Sequence, residues 1–139
     1  MKVVINNCYG GFSLSKEACQ RYFDIKGQQV WIEDDTHSNF FTVWLVSPEN
    51  RMVLRKNNFY EMSMEDRKSY NKQYSEQTWH FSDVNRADPI LVQVVEELGK
   101  SAAGRHSNLK IVQIPDGVQW TIDEYDGNEH VAEVHRTWS

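Results

Sequence analysis

Residues 2–15, KVVINNCYGGFSLS, bring a cysteine, a tyrosine and a glycine pair together between a strand pattern and a helix pattern. The β-branched run before Gly10 and Gly11 predicts a buried strand, and a helical pattern starts at Lys16, so the order is strand, glycine loop, helix. Such a loop can present backbone N–H groups beside a helix N-terminus, where the dipole favours an anion. It is equally what a tight turn needing positive φ requires, and both readings stand. Neither GK[ST] nor GxGxxG is present. Arg86, Arg105 and Arg136 each lie beside a predicted element end, and arginine is the preferred planar fork for phosphate; a solvated side chain or a local ion pair is the alternative for each.

Cys8, just ahead of the glycines, is a possible nucleophile if a histidine activates it. The five histidines, His37, His80, His106, His130 and His135, pair neither with one another nor with a cysteine at metal-ligand spacing, so no metal site is expected. Carboxylates gather around the last predicted hairpin (Asp123, Glu124, Asp126, Glu129, Glu133), and surface solvation accounts for most of them. No general acid and base pair can be assigned, and no cofactor is implied.

A chain of 139 residues is expected to form one domain with a real core. Within it, residues 56–81 read as a polar excursion. Two cysteines without zinc or redox spacing point to a reducing, cytoplasmic setting. No signal-peptide core and no apolar run of membrane-spanning length occurs, so no membrane partner is expected. The net charge of −5 and the scattered basic residues argue against polymeric nucleic acid, which needs a basic face. Five Trp, six Tyr and six Phe serve mainly as core, with some left to stack on a base or to anchor self-association.

The elements that must position these residues follow in order. Ser15 as N-cap and Gly27 as stop bracket a helix over 16–26, with Ala18, Cys19, Tyr22 and Phe23 facing inward. Strands are expected around 30–32 and 40–46, and a hairpin over 40–55 if 52–55 returns as a strand. Ser63 can cap a polar helix that sets Tyr70 and Tyr74 on one face. Asp88, Pro89 and Gly99 bracket a second main helix with a stripe of Ile90, Leu91, Val94, Val95 and Leu98. The last third reads as a β-meander over 109–114, 118–125 and 129–138. Matching apolar faces across the final turn favours a three-residue loop over 126–128, with Trp120 opposite Val134 and Ile122 opposite Ala132. The expected class is α+β: a mostly antiparallel sheet with two main helices packed on it, the first strand central.

Three segments, INNCYGGFSLS, ADPILVQVVEELG and IPDGVQWTIDEYDGNEHVAEVHRTW, resemble a phage-encoded family, the first described type of Thoeris anti-defence protein. The resemblance covers about residues 2–20 and 86–138 and does not extend over 28–80. It implies a non-enzymatic sponge that binds and sequesters a cyclic nucleotide immune signal, notably a cyclic ADP-ribose isomer, and leaves it intact. It also implies homo-oligomers, dimers or larger, and in some members a separate site for cyclic oligonucleotides. A sponge needs aromatic faces for adenine, N–H groups or Arg for pyrophosphate and polar groups for ribose. The residues that fit these roles are Asn7, Tyr9, Gly10, Gly11 and Phe12 from the first loop, with Arg86, Arg105 and Arg136 as phosphate partners. Two other classes remain open: a small hydrolase or transferase using Cys8, and a protein that blocks a host enzyme through its aromatic surface.

Overall fold

The computed structural model describes residues 1–36, 38–54 and 59–134. The fold is α+β, and every paired strand is antiparallel. Two compact units emerge, one from Met1–Gln28 with Phe81–Ser139 and the other from Gln29–His80. The second unit thus begins well ahead of the polar excursion expected over 56–81. No helix among the described residues is long and apolar enough to cross a membrane.

In the first unit, β1 (Lys2–Asn6) is the organising strand, with Val3, Val4, Ile5 and Asn6 all buried. One edge pairs with β5 (Leu109–Gln113), from Lys2 opposite Gln113 to Asn6 opposite Leu109, and the Asn7 N–H extends the ladder to the Asn108 carbonyl. The other edge is closed by local groups: the Val4 N–H donates to the Arg86 carbonyl at 2.8 Å and the Asn6 N–H to Glu129 Oε1 at 2.8 Å. A strand buried on both faces has no solvent to satisfy its N–H groups, so each needs such a partner.

Helix α1 (Lys16–Lys26) has the expected boundaries. Ser15 Oγ accepts from the Ala18 N–H, and Gly27 ends the helix at φ 76°, a left-handed conformation that glycine adopts without a Cβ penalty. Ala18, Cys19, Tyr22 and Phe23 are buried, as their spacing predicts. Burial pushes the Cys19 thiol up to about 12, which makes it a packing residue rather than a nucleophile.

Helix α2 (Met64–Gln77) starts at the expected cap, with Ser63 Oγ accepting from the Asp66 N–H, and buries no residue fully. Helix α3 (Pro89–Leu98) begins with Asp88 as N-cap and ends at Gly99; Leu91, Val92, Val94 and Val95 are buried, while Ile90 and Leu98 are half-buried. α3 packs against α1 and β1. Burial pushes the Tyr22 phenol up to about 12, reinforced by its 2.6 Å hydrogen bond to Asp88 Oδ2, so one carboxylate both caps α3 and tethers α1.

A bidentate pair also joins these helices: Arg21 Nε donates to Glu97 Oε2 at 2.8 Å and Nη2 to Oε1 at 3.3 Å. The guanidinium, helped by the Gln93 amide, holds the Glu97 carboxyl down to about 2. A carboxyl whose pKa is lower folded than unfolded stabilises above its unfolded value and loses that contribution as pH falls through the folded one. Arg21→Ala is therefore expected to lower the melting temperature at pH 7, with the difference from the parent chain closing between about pH 4.5 and pH 2. Thermal melts across that window check it; a difference unchanged at pH 2 would remove the pair as its cause.

In the second unit, β3 (Phe41–Trp44) lies between β2 (Trp31–Asp34) and the two-residue β4 (Thr78–Trp79). The hairpin expected over 40–55 does not form within the described residues. Pro48–Asn50 makes a 3-10 turn, residues 52–54 are not strand, and Trp44 instead pairs with Trp31 on one side and Thr78 on the other. Arg55 lies outside the described residues.

The final third departs from a meander. β5 pairs with β1, and among the described residues β6 (Trp120–Tyr125) pairs with β7 (Asn128–Glu133) alone. The turn between them has two residues, Asp126 and Gly127, so Trp120 faces Glu133 and Ile122 faces Val131, which overturns the expected three-residue register. Both turn residues have positive φ, 49° and 84°, the conformation of the Asp-Gly hairpin turn whose twist matches the strands. Matching apolar faces misled because the strand face opposite Trp120 and Ile122 carries Glu133, which is exposed, and Glu129, which is half-buried against Arg86.

Candidate functional site

Asn6, placed at the end of a buried strand, is the polar residue on which the loops of the first unit converge. Its side chain is wholly buried. Nδ2 donates to the Cys8 carbonyl at 2.8 Å and to the Gly127 carbonyl at 2.7 Å. Oδ1 accepts from the Asn108 N–H at 2.9 Å and the Ser107 hydroxyl at 3.2 Å. One amide thus ties three segments distant in sequence: the glycine loop, the 104–108 loop and the tip of the β6–β7 hairpin.

The glycines are needed by that convergence. Gly10 has φ 132°, and a Cβ there would stand 2.4 Å from the His106 carbonyl oxygen. A Cβ on Gly127 would stand 2.2 Å from the Gly11 nitrogen. Backbone approaching backbone this closely excludes any side chain, and the Gly10 N–H is already given to the Asp126 carbonyl at 3.2 Å. Close packing therefore accounts for Gly10 and Gly127 without an anion. Just beyond, Leu14 bridges Ala103, and the Gly104 N–H donates to the Ser13 carbonyl, so the two loops run side by side into α1.

The sequence-selected residues separate into exposed and committed groups. Asn7, Tyr9 and Arg105 are exposed, with Tyr9 65% accessible. Tyr9 precedes Gly10, Arg105 precedes His106, and Gly10 abuts His106, so both side chains spring from the same junction. Tyr125, 75% exposed, adds a second aromatic ring at the hairpin tip.

Arg86 and Phe12 are engaged within the unit. The Arg86 guanidinium makes a two-pronged bond to Glu129, Nη1 to Oε1 at 2.7 Å and Nη2 to Oε2 at 3.0 Å, with the side chains only 16% and 10% exposed. It also reaches the Val4 carbonyl at 3.3 Å and lies 3.4 Å from the centre of the Phe12 ring, which in turn meets Phe81 edge-on at 6.2 Å. For Arg86 the structure supplies the local ion pair that was the alternative to phosphate. Arg136 lies outside the described residues, as do His37, His135 and Trp138.

Cys8 donates its thiol to the His106 carbonyl at 3.2 Å and to Asn6 Oδ1 at 3.5 Å, oxygens rather than an imidazole. Among the described residues, no group of three or more His, Cys, Asp or Glu is placed to hold a metal ion.

Two participants were missed from sequence. Asn6 ended an apolar run and was read only as strand, although a polar residue in a buried strand must bond to something. Glu129 was counted among solvated carboxylates. The Asp-Gly dipeptide was the available signal for the tip, since it favours a two-residue turn.

No family model, no curated protein and no solved structure matches this chain.

Proposed function

We propose that this protein binds and sequesters a cyclic nucleotide immune signal, a cyclic ADP-ribose isomer or a cyclic oligonucleotide, without cleaving it, and so inhibits bacterial anti-phage defence. The observation that carries the reading is the convergence on Asn6. The segments that resemble the anti-defence family belong to one compact unit, and their loops meet at a single buried amide with Asn7, Tyr9 and Arg105 exposed around it.

In this reading Tyr9 stacks on adenine, Arg105 holds a phosphate and Asn7 bonds a ribose hydroxyl, with the loops held rigid in advance by Asn6. Rigid placement reduces the ordering cost that a small ligand would otherwise impose. Binding needs no nucleophile and no metal, and a homo-oligomer brings several copies of the junction to one assembly.

Arg105→Ala is expected to weaken binding of the cyclic ADP-ribose isomer by about 1.5–3 kcal/mol, the range for a hydrogen bond to a charged group. Because Arg105 is exposed, its melting temperature should stay that of the parent chain. Calorimetric titration beside a thermal melt separates the two quantities. Unchanged affinity would clear Arg105 and move the phosphate elsewhere.

A further inference from the structure

The second unit contains a cavity of about 530 Å³ that plays no part in the reading above. That volume lies within the range of small-molecule sites. It is lined by Trp44, Phe59, Tyr70 and Tyr74 and by residues 33–36 at the end of β2. Tyr70 and Tyr74 come from α2, four residues apart on one face. Phe59 and Tyr70 meet at 5.6 Å with their planes tilted by 59°, and Trp44 and Tyr74 at 5.9 Å and 81°. The rings therefore form corners, which present both faces and edges to the space they enclose.

The protein already places cations on these rings. The Arg51 guanidinium lies 4.7 Å from the centre of Trp44 while Nη1 donates to Glu33 Oε2 at 2.7 Å. Arg51 Nη2 is buried with no hydrogen-bond partner among the described residues, and the charge is held by ring, carboxylate and the Val46 carbonyl. Arg67 stands 5.7 Å from the Phe59 ring and 5.4 Å from the Tyr60 ring. Ring faces attract cations through their quadrupole.

We infer that the cavity of the second unit is a binding site for a small organic cation of the alkylammonium class. The ammonium lies among the rings of Phe59, Tyr70 and Tyr74, with its alkyl substituents against Leu54 and Trp44. This inference is independent of the nucleotide reading, because it concerns residues outside the segments that carry that reading.

Choline is a suitable probe, with 3,3-dimethyl-1-butanol as its neutral carbon isostere. Titration of the full chain, followed by NMR of the aromatic ring protons, is expected to shift Tyr74 and Trp44 saturably with choline and about ten-fold more weakly with the isostere. Tyr74→Leu should weaken choline binding about ten-fold, and Tyr74→Phe, which keeps the ring, should retain it. Equal binding of the two probes would overturn the inference in favour of a merely apolar cavity, and failure of choline to shift these rings would overturn it outright. Loss of choline binding in Tyr74→Phe to the same extent as in Tyr74→Leu would overturn it as well.

Discussion

Asn6→Ala is expected to destabilise the first unit by about 4 kcal/mol, measured as a lower urea midpoint at unchanged slope. The substitution removes donors from the Cys8 and Gly127 carbonyls and the acceptor of the Asn108 N–H, at distances of 2.7–2.9 Å. A buried backbone group left without a partner costs about 1–3 kcal/mol, and several are stranded at once. Asn6→Asp separates shape from bonding. It keeps the volume and the Asn108 contact but turns oxygen toward two carbonyls, so it should be similarly destabilising at neutral pH. A loss under about 1 kcal/mol in both variants would mean that water replaces the amide and that the loops are held by the strands alone. The same variants should also lose ligand affinity, because Tyr9 and Arg105 would no longer be held on one junction.

The second large effect is expected at the Arg86–Glu129 pair. Removing one partner of a buried ion pair leaves the other desolvated and uncompensated, which typically costs about 3–5 kcal/mol. Arg86→Ala strands the Glu129 carboxylate, which retains only the Asn6 N–H at 2.8 Å, and uncovers the Phe12 ring. Glu129→Ala strands the guanidinium and frees that same N–H. The double substitution should cost less than the sum of the two, by about 1–3 kcal/mol, because the second change removes the charge that the first left exposed. Simple additivity would show that the pair contributes nothing beyond its separate parts. The contrast with Arg105 is diagnostic. Arg86→Ala should lower stability and affinity together, while Arg105→Ala should lower affinity alone.

What could be read from sequence was mostly local. The caps Ser15, Ser63 and Asp88 and the stops Gly27 and Gly99 depend on neighbours within four residues; α1, α2 and α3 start at those caps, and α1 and α3 end at those stops. The α+β class followed from those helices among antiparallel strands. Strand partners are non-local, and there the reading failed: β5 returns to β1 across more than a hundred residues rather than to its neighbour β6. The hairpin register was missed because apolar matching presumes an apolar partner for Trp120, whereas Trp120 lies opposite the exposed Glu133. Of the candidate site, the loop bearing Tyr9, Gly10 and Gly11 was visible as glycine chemistry, but the contact of those glycines with His106 and Gly127 was not. Arg86 was selected by residue type and position alone, which say nothing about whether its five donors are already in use. The aromatic cavity of the second unit was foreshadowed only by the spacing of Tyr70 and Tyr74.

The most direct measurement of the central claim is to incubate the purified protein with cyclic ADP-ribose isomers and cyclic di- and trinucleotides, remove free ligand, denature the protein and identify what is released. Sequestration predicts the release of an unaltered cyclic nucleotide, in an amount that falls in Arg105→Ala. Release of a cleaved product would contradict it in favour of catalysis, and release of no nucleotide would contradict it in favour of a protein that acts through a protein partner.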